Sequence, residues 1–139
     1  MNKISEFQGP YRWLSNFWCC KIIWNGKEAY SAEAHYQAAK SLDPYERAQI
    51  RMLPAGMAKR AGRKIKKLRP DWNEVKDEIM LDIVRAKFQD PHLAQRLVET
   101  WPMVLEEGNH WGDKYWGICN GEGENRLGKI LMQVRDELR

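Results

Sequence analysis

The chain has 139 residues, of which 43% are hydrophobic and 30% charged, with a formal net charge of +4. This length suits one domain with a real core, and the balance is that of a soluble globular protein rather than a low-complexity or fibrous one. Three cysteines, two of them adjacent as Cys19 and Cys20, do not make a disulfide framework, and no apolar run approaches the roughly 18 residues of a membrane span.

The N-terminus "MNKISEFQGPYRW" lacks a signal-peptide core, so a cytoplasmic protein is expected. Residues 7 to 30 read as short strands and turns, with two extended runs flanking Asn25-Gly26, a strong hairpin signal. Ser31 then caps a helix reaching about Lys40, and Asp43-Pro44 opens a second helix, "PYERAQIRML", which Pro54 stops. The basic stretch "AKRAGRKIKKLRP" follows. Asp71 begins the strongest helix, "DWNEVKDEIMLDIVRAKF", with Glu74 completing a capping box and Val75, Ile79, Ile83 and Ala86 on one stripe. Asp90-Pro91 starts a short helix through Val98. Residues 101 to 124, rich in Gly, Asn and Trp, read as irregular, and "NRLGKILMQVRDEL" forms the last helix. The expected fold is α+β: one predominantly helical domain over residues 1–139, with a small antiparallel sheet near its start.

The first helix poses the sharpest question. Its segment "YSAEAHYQAAK" contains no Leu, Ile, Val, Phe or Met, and Glu33, Gln37 and Lys40 fall within roughly 60° of one another around the axis. The helix dipole explains an acid in the first turn but not the alanines. Small residues on both flanks let a helix sit deep among its neighbours, with its polar stripe at the floor of a cleft. A second polar cluster, "EEGNHWGDKYWG", sets Glu106, Glu107 and Asp113 beside Trp111 and Trp116, as either a ring-binding loop or a cover for the core. Lys87 follows Met80, Ile83 and Val84 on an apolar stripe, where it either snorkels or reaches a cleft.

Other motifs carry less. "GENRLGK" satisfies G-x-x-x-x-G-K, but Ile130 stands where a phosphate loop needs Ser or Thr for magnesium. His35, His92 and His110 are far apart and no C-x-x-C pair exists, so neither a metal nor a cofactor is expected. The 59–69 basics form a solvated face or meet a phosphate-bearing substrate; the pI of about 9.0 is a weak pointer to anionic partners.

Several segments together resemble the NADAR, or YbiA-like, family: "WLSNF", "SAEAHYQAAK", "RPDWNEVK", "RAKF", "DKYWG" and "GENRLGKILMQVRDEL". The resemblance runs from about Ser5 to the C-terminus. It implies a YbiA-like fold and an N-glycosidase acting on ribosylated heterocycles, with ribosylamino-pyrimidine 5'-phosphates of riboflavin synthesis as substrates. Related domains remove ADP-ribose from guanine in nucleic acid, so ADP-ribosylated nucleic acid is the alternative partner, and a non-catalytic ADP-ribose-binding module a further one. Position by position, the resemblance puts the family's acid at Glu33, with Gln37 and Lys40 at the matching offsets, its pocket tryptophan at Trp72, D-x-x-W-G at Asp113, Trp116 and Gly117, and S-N-F at Asn16 and Phe17. Asn125 of "GENRLG" joins the substrate-binding set. The run "ICNGEG" departs from the family pattern, which leaves contacts from Ile118 to Glu122 open.

Cleaving a C1'–N bond develops oxocarbenium character on ribose and negative charge on the base. Glu33 is expected on the sugar side and Asp113 at the ribose hydroxyls or as a second carboxylate. Trp72 or Trp116 would lie against the base, and Lys40, Lys87 or the 59–69 basics would meet the phosphate. Alternatively Lys40 attacks C1' of the ring-opened sugar as a Schiff-base nucleophile. An ionised Glu33 nearby opposes this unless burial of Lys40 outweighs it.

Overall fold

The computed structural model describes residues 2–139. In chain order the elements are β1 (Lys3–Ile4), a 3-10 turn (Gly9–Leu14), β2 (Ile22–Trp24), β3 (Lys27–Ala29), α1 (Ala32–Ala39), α2 (Pro44–Arg51), α3 (Ala55–Arg63), α4 (Trp72–Lys87), α5 (Pro91–Glu99), β4 (Val104–Leu105), β5 (Gly108–Asn109), β6 (Ile118–Cys119) and α6 (Arg126–Leu138). The fold is α+β and predominantly helical, as expected. The chain packs as two compact units, one from Asn16–Lys87 and one joining the segment that ends at Ser15 to Phe88–Arg139.

In the Asn16–Lys87 unit, β2 and β3 pair antiparallel, Ile22 opposite Ala29 and Trp24 opposite Lys27. Asn25 and Gly26 make the turn at φ of 53° and 72°, the left-handed pair a tight hairpin demands. Ser31 Oγ accepts the Ala34 N–H at 3.0 Å to start α1, and Asp43 Oδ1 accepts the Tyr45 N–H at 3.0 Å to start α2. All eight residues of α1 are buried. The helix packs on α2, α3 and α4. Ala34 and Ala38 meet Ala29, Ile50 and Ala58, with Leu53, Ala61 and Ile65 at the margin. The alanines therefore do close-packing work, letting neighbours approach from several sides.

The basic stretch after Pro54 begins with a helix, α3, where the sequence carries no clear helix signal. Its first turn starts directly after the proline, consistent with a residue whose fixed φ suits a helix start. At α4 the buried residues are Trp72, Met80, Ile83, Val84 and Lys87. Of the expected stripe only Ile83 is fully buried, while Val75, Ile79 and Ala86 are half-buried. The buried face is rotated because the helix lies against both α1 and β2, with Trp72 fixing its first turn. The capping box expected at Asp71 meets a competitor. Both Asp71 carboxylate oxygens receive Arg69, Nε to Oδ1 at 2.7 Å and Nη2 to Oδ2 at 3.1 Å.

In the other unit, β1 pairs parallel with β4, Lys3 opposite Val104 and Ile4 opposite Leu105, and β5 pairs parallel with β6. These two-residue pairings add to the one antiparallel hairpin the sequence foretold. Asp90 Oδ1 accepts the His92 N–H at 2.8 Å to open α5. α6 packs on α5 and β4, burying Leu127, Leu131 and Val134. Trp13 meets Phe88 edge-on with centroids 6.4 Å apart. Buried Arg135 donates from Nη1 to Thr100 Oγ1 at 3.0 Å and to the Met103 carbonyl at 2.8 Å. Among the described residues no helix is long and apolar enough to cross a membrane.

Candidate active site

The polar stripe of α1 is buried along with the rest of the helix. The Glu33 backbone N–H donates to the Asn16 carbonyl at 3.0 Å, which ties the first turn to the preceding loop. The Glu33 side chain belongs to a residue only 8% exposed. One turn later Gln37, 4% exposed, donates from Nε2 to Glu33 Oε2 at 2.6 Å. The amide cannot turn over without setting two oxygens face to face.

Gly62 of α3 supplies the room. A Cβ there would overlap Gln37 Oε1 and Cδ, so only glycine lets α3 close over that amide. Gln37 Oε1 itself is buried and has no hydrogen-bond partner among the described residues. The amide is thus wedged between the carboxylate and a backbone, and it orients Glu33.

Lys40 caps α1 at its C-terminal end and is half-buried. Its Nζ lies 5.8 Å from the Tyr36 ring centroid and 6.0 Å from that of Trp72. Those rings are 5.0 Å apart and tilted by 54°. The helix end is held by Arg69, whose backbone N–H donates to the Lys40 carbonyl at 2.9 Å and whose Nη1 donates to the Ala39 carbonyl at 3.2 Å. Burial is the largest influence on the Lys40 amine and lowers its pKa; Glu33 pulls the other way, and Arg63, Lys59 and Lys76 lower it further. Burial outweighs the carboxylate, so the amine gives up its proton more readily than a free lysine.

This unit brings Glu33, Gln37, Lys40 and Trp72 together. Asn16 joins through its carbonyl, while its Nδ2 faces Met80 Sδ at 3.5 Å. Phe17 is 45% exposed, with Lys59 Nζ 5.7 Å from its ring centroid. Lys87 is only 3% exposed, and burial pushes its amine down to about 8, with Cys20 opposing. Sequence reasoning missed Tyr36 as a wall of the site, Gly62 as its spacer and Lys76 as a contributor to its field. Lys76, four residues beyond Trp72, was findable by helical projection; nothing in the sequence marks Gly62.

The other predicted residues lie in the second unit. Asp113 Oδ1 accepts the N–H groups of Tyr115 at 3.1 Å and Trp116 at 2.9 Å, forming an Asx turn. Trp116 meets Tyr115 edge-on with centroids 4.9 Å apart. Gly117 lies against Glu107, whose carbonyl and carboxylate a Cβ would overlap. Asn125 is buried in the left-handed region at φ 52°. Its Oδ1 accepts the Glu107 N–H and its Nδ2 donates to the Leu105 carbonyl, both at 2.9 Å. Both polar ends of Asn125 are thus engaged by backbone. Trp111 is half exposed at a groove of about 510 Å³ that Lys3, Glu106, His110 and Asn120 also line, and Lys3 pairs with Glu106 at 3.3 Å. Among the described residues no group of three His, Cys, Asp or Glu is placed to hold a metal.

Residues 4–139 match the family model of the NADAR domain. The chain is 41% identical over 129 residues to the N-glycosidase YbiA of Shigella boydii, a match covering 90% of this chain and 80% of that protein. It is 40% identical over 129 residues to a riboflavin biosynthesis protein of Vibrio vulnificus, covering 90% of this chain and 35% of that longer protein. The NMR structure of Escherichia coli YbiA superposes with a TM-score of 0.87 at 36% identity, over 99% of this chain and 86% of the other. Sequence, motif order and architecture agree: the chain belongs to the NADAR domain family.

Proposed function

We propose that the protein is an N-glycosidase that hydrolyses the C1'–N bond of a ribosylamino-pyrimidine 5'-phosphate in riboflavin synthesis. The relatives named N-glycosidase and riboflavin biosynthesis protein support the reaction and the substrate class. The observation that carries the reading is the Glu33–Gln37 pair, buried one turn from a desolvated Lys40 over the Tyr36–Trp72 rings.

Glu33, oriented by the Gln37 amide, faces the carbon that becomes cationic as the bond breaks, stabilising it or activating the attacking water. The Tyr36 and Trp72 rings offer an apolar wall for the departing base. Lys40 supplies a proton to the base as its charge develops. The same reading implies a cytoplasmic enzyme acting on a small phosphorylated molecule.

The lowered Lys40 pKa favours a second route through the same residues. The neutral amine adds to C1' of the ring-opened ribosylamine, the heterocyclic amine departs, and water hydrolyses the resulting lysine iminium to free sugar and amine. Incubation with substrate, followed by chromatography for free base and ribose phosphate, tests the activity; absence of free base with binding intact would leave a binding module. Borohydride separates the routes: a sugar–Lys40 adduct establishes the iminium, and its absence during turnover leaves direct hydrolysis. Glu33→Gln is expected to lower turnover by a factor on the order of 10² with the fold unchanged. Near-normal turnover in that variant removes Glu33 from the mechanism.

A further inference from the structure

We infer that Lys59, Arg63 and Lys76 form a cradle for the phosphomonoester of the substrate, separate from Lys40, which is left to the chemistry. The inference rests on the N-glycosidase reading only for the identity of the ligand.

The cradle follows from helix packing. Gly62 brings α3 close over α1 at Gln37, and Lys59 and Arg63, four residues apart on α3, flank that contact on neighbouring turns. Lys59 extends its amine over the Phe17 ring at 5.7 Å. From α4, Lys76 stands one turn beyond Trp72, the ring beneath Lys40. All three cations act on the Lys40 amine, and Glu33 acts on it in the opposite sense.

Position distinguishes Lys59 and Arg63 from the other cations of the basic stretch, because they flank the α1–α3 contact at Gly62. Among the described residues Lys40, Lys59 and Arg63 make no ion pair. Arg69 of the same basic stretch, by contrast, is neutralised by Asp71. Like charges gathered around the Lys40 amine repel one another, and a dianion arriving among them relieves that repulsion. Arginine's planar fork grips two phosphoryl oxygens while lysines add point charge, the combination suited to a terminal phosphate. Lys87, by comparison, is only 3% exposed.

Isothermal titration calorimetry with ribose 5-phosphate, ribose and ADP-ribose tests the cradle. Wild-type protein is expected to bind ribose 5-phosphate at least tenfold more tightly than ribose. The double variant Lys59→Met/Arg63→Met should lose that preference while its melting temperature is maintained, and Lys76→Met should lose part of it. Should the double variant not fold, Lys76→Met with the wild-type comparison decides. Equal binding of ribose and ribose 5-phosphate, or an undiminished preference in the variants, overturns the cradle. Loss of ADP-ribose affinity alone in the variants overturns the monoester assignment in favour of a diphosphate. The underlying reading fails separately: phosphate preference without base release sinks the glycosidase and keeps the cradle, whereas equal turnover of phosphorylated and dephosphorylated substrates does the reverse.

Discussion

Replacing Lys87 by Met should change stability in a pH-dependent way whose size follows from the structure. Lys87 lies on the buried face of α4, and burial lowers its pKa from 10.5 to about 8. At about 1.4 kcal/mol per pKa unit, keeping the ammonium buried costs about 3 kcal/mol. Because the folded pKa lies below the unfolded one, the folded chain holds fewer protons than the unfolded chain between pH 8 and 10.5. Stability therefore rises with pH across that window, and below about pH 8 the whole penalty is present. Lys87→Met has no such proton. Its stability relative to wild type should fall by about 2 kcal/mol between pH 7 and pH 9.5, whatever constant offset the lost amine contacts introduce. Urea unfolding of both proteins at the two pH values measures this, and other titrating groups cancel in the difference. A difference that stays constant within about 0.5 kcal/mol refutes the reasoning, because Lys87 would then titrate like an exposed lysine.

At Gly62→Ala, helix propensity favours alanine by about 1 kcal/mol, but the overlap with Gln37 costs about 1–3 kcal/mol. Urea titration should show net destabilisation that Gln37→Ala relieves in the double variant, while turnover stays low because Glu33 has lost its donor; a fully active Gly62→Ala would contradict this. Asn125→Ala leaves the Glu107 N–H and the Leu105 carbonyl unanswered at a left-handed position, an expected loss of about 2–4 kcal/mol in unfolding free energy. Asn125→Asp keeps the acceptor for the Glu107 N–H but sets a buried carboxylate oxygen against the Leu105 carbonyl, so at neutral pH it should recover none of that loss. Burial lowers the His35 pKa below 6.5, with the bond to the Ile22 carbonyl opposing and Arg51 reinforcing the shift. Stability should therefore fall as pH drops through 6.5, where the unfolded chain takes up the proton, by at most about 1.4 kcal/mol per pH unit. The His35→Phe variant, followed by thermal melting from pH 7 to 5, should lose that slope.

The parts legible in the sequence were those written in local chemistry. Asn25-Gly26, Ser31, Asp43-Pro44 and Asp90-Pro91 each specify a turn or cap within four residues, and each appears as expected. The convergence of Glu33, Gln37 and Lys40 followed from helical spacing alone. Long-range determinants were hidden. Two-residue parallel pairs such as Ile4 with Leu105 leave no periodic trace, and the rotation of the α4 face was set by α1 and β2 rather than by its own pattern. Gly62 reads as an ordinary glycine in a basic run, because its purpose is defined by the Gln37 side chain 25 positions earlier. Asn125 could be matched to a family motif, but its engagement with the Glu107 and Leu105 backbone depends on a chain reversal no local signal announces.

The pairing of Lys3 and Ile4 with Val104 and Leu105 bears on how the protein is made. A ribosome delivers residues in order, so the continuous Asn16–Lys87 segment is complete while the partners of the first strand are still untranslated. That segment can consolidate early around its alanine-rich core, whereas the opening strand must wait for about a hundred further residues before its ladder can close. Long sequence separation slows such closure, and for that interval the apolar side chains of Ile4, Phe7, Trp13 and Leu14 are the part of the nascent chain most in need of a chaperone.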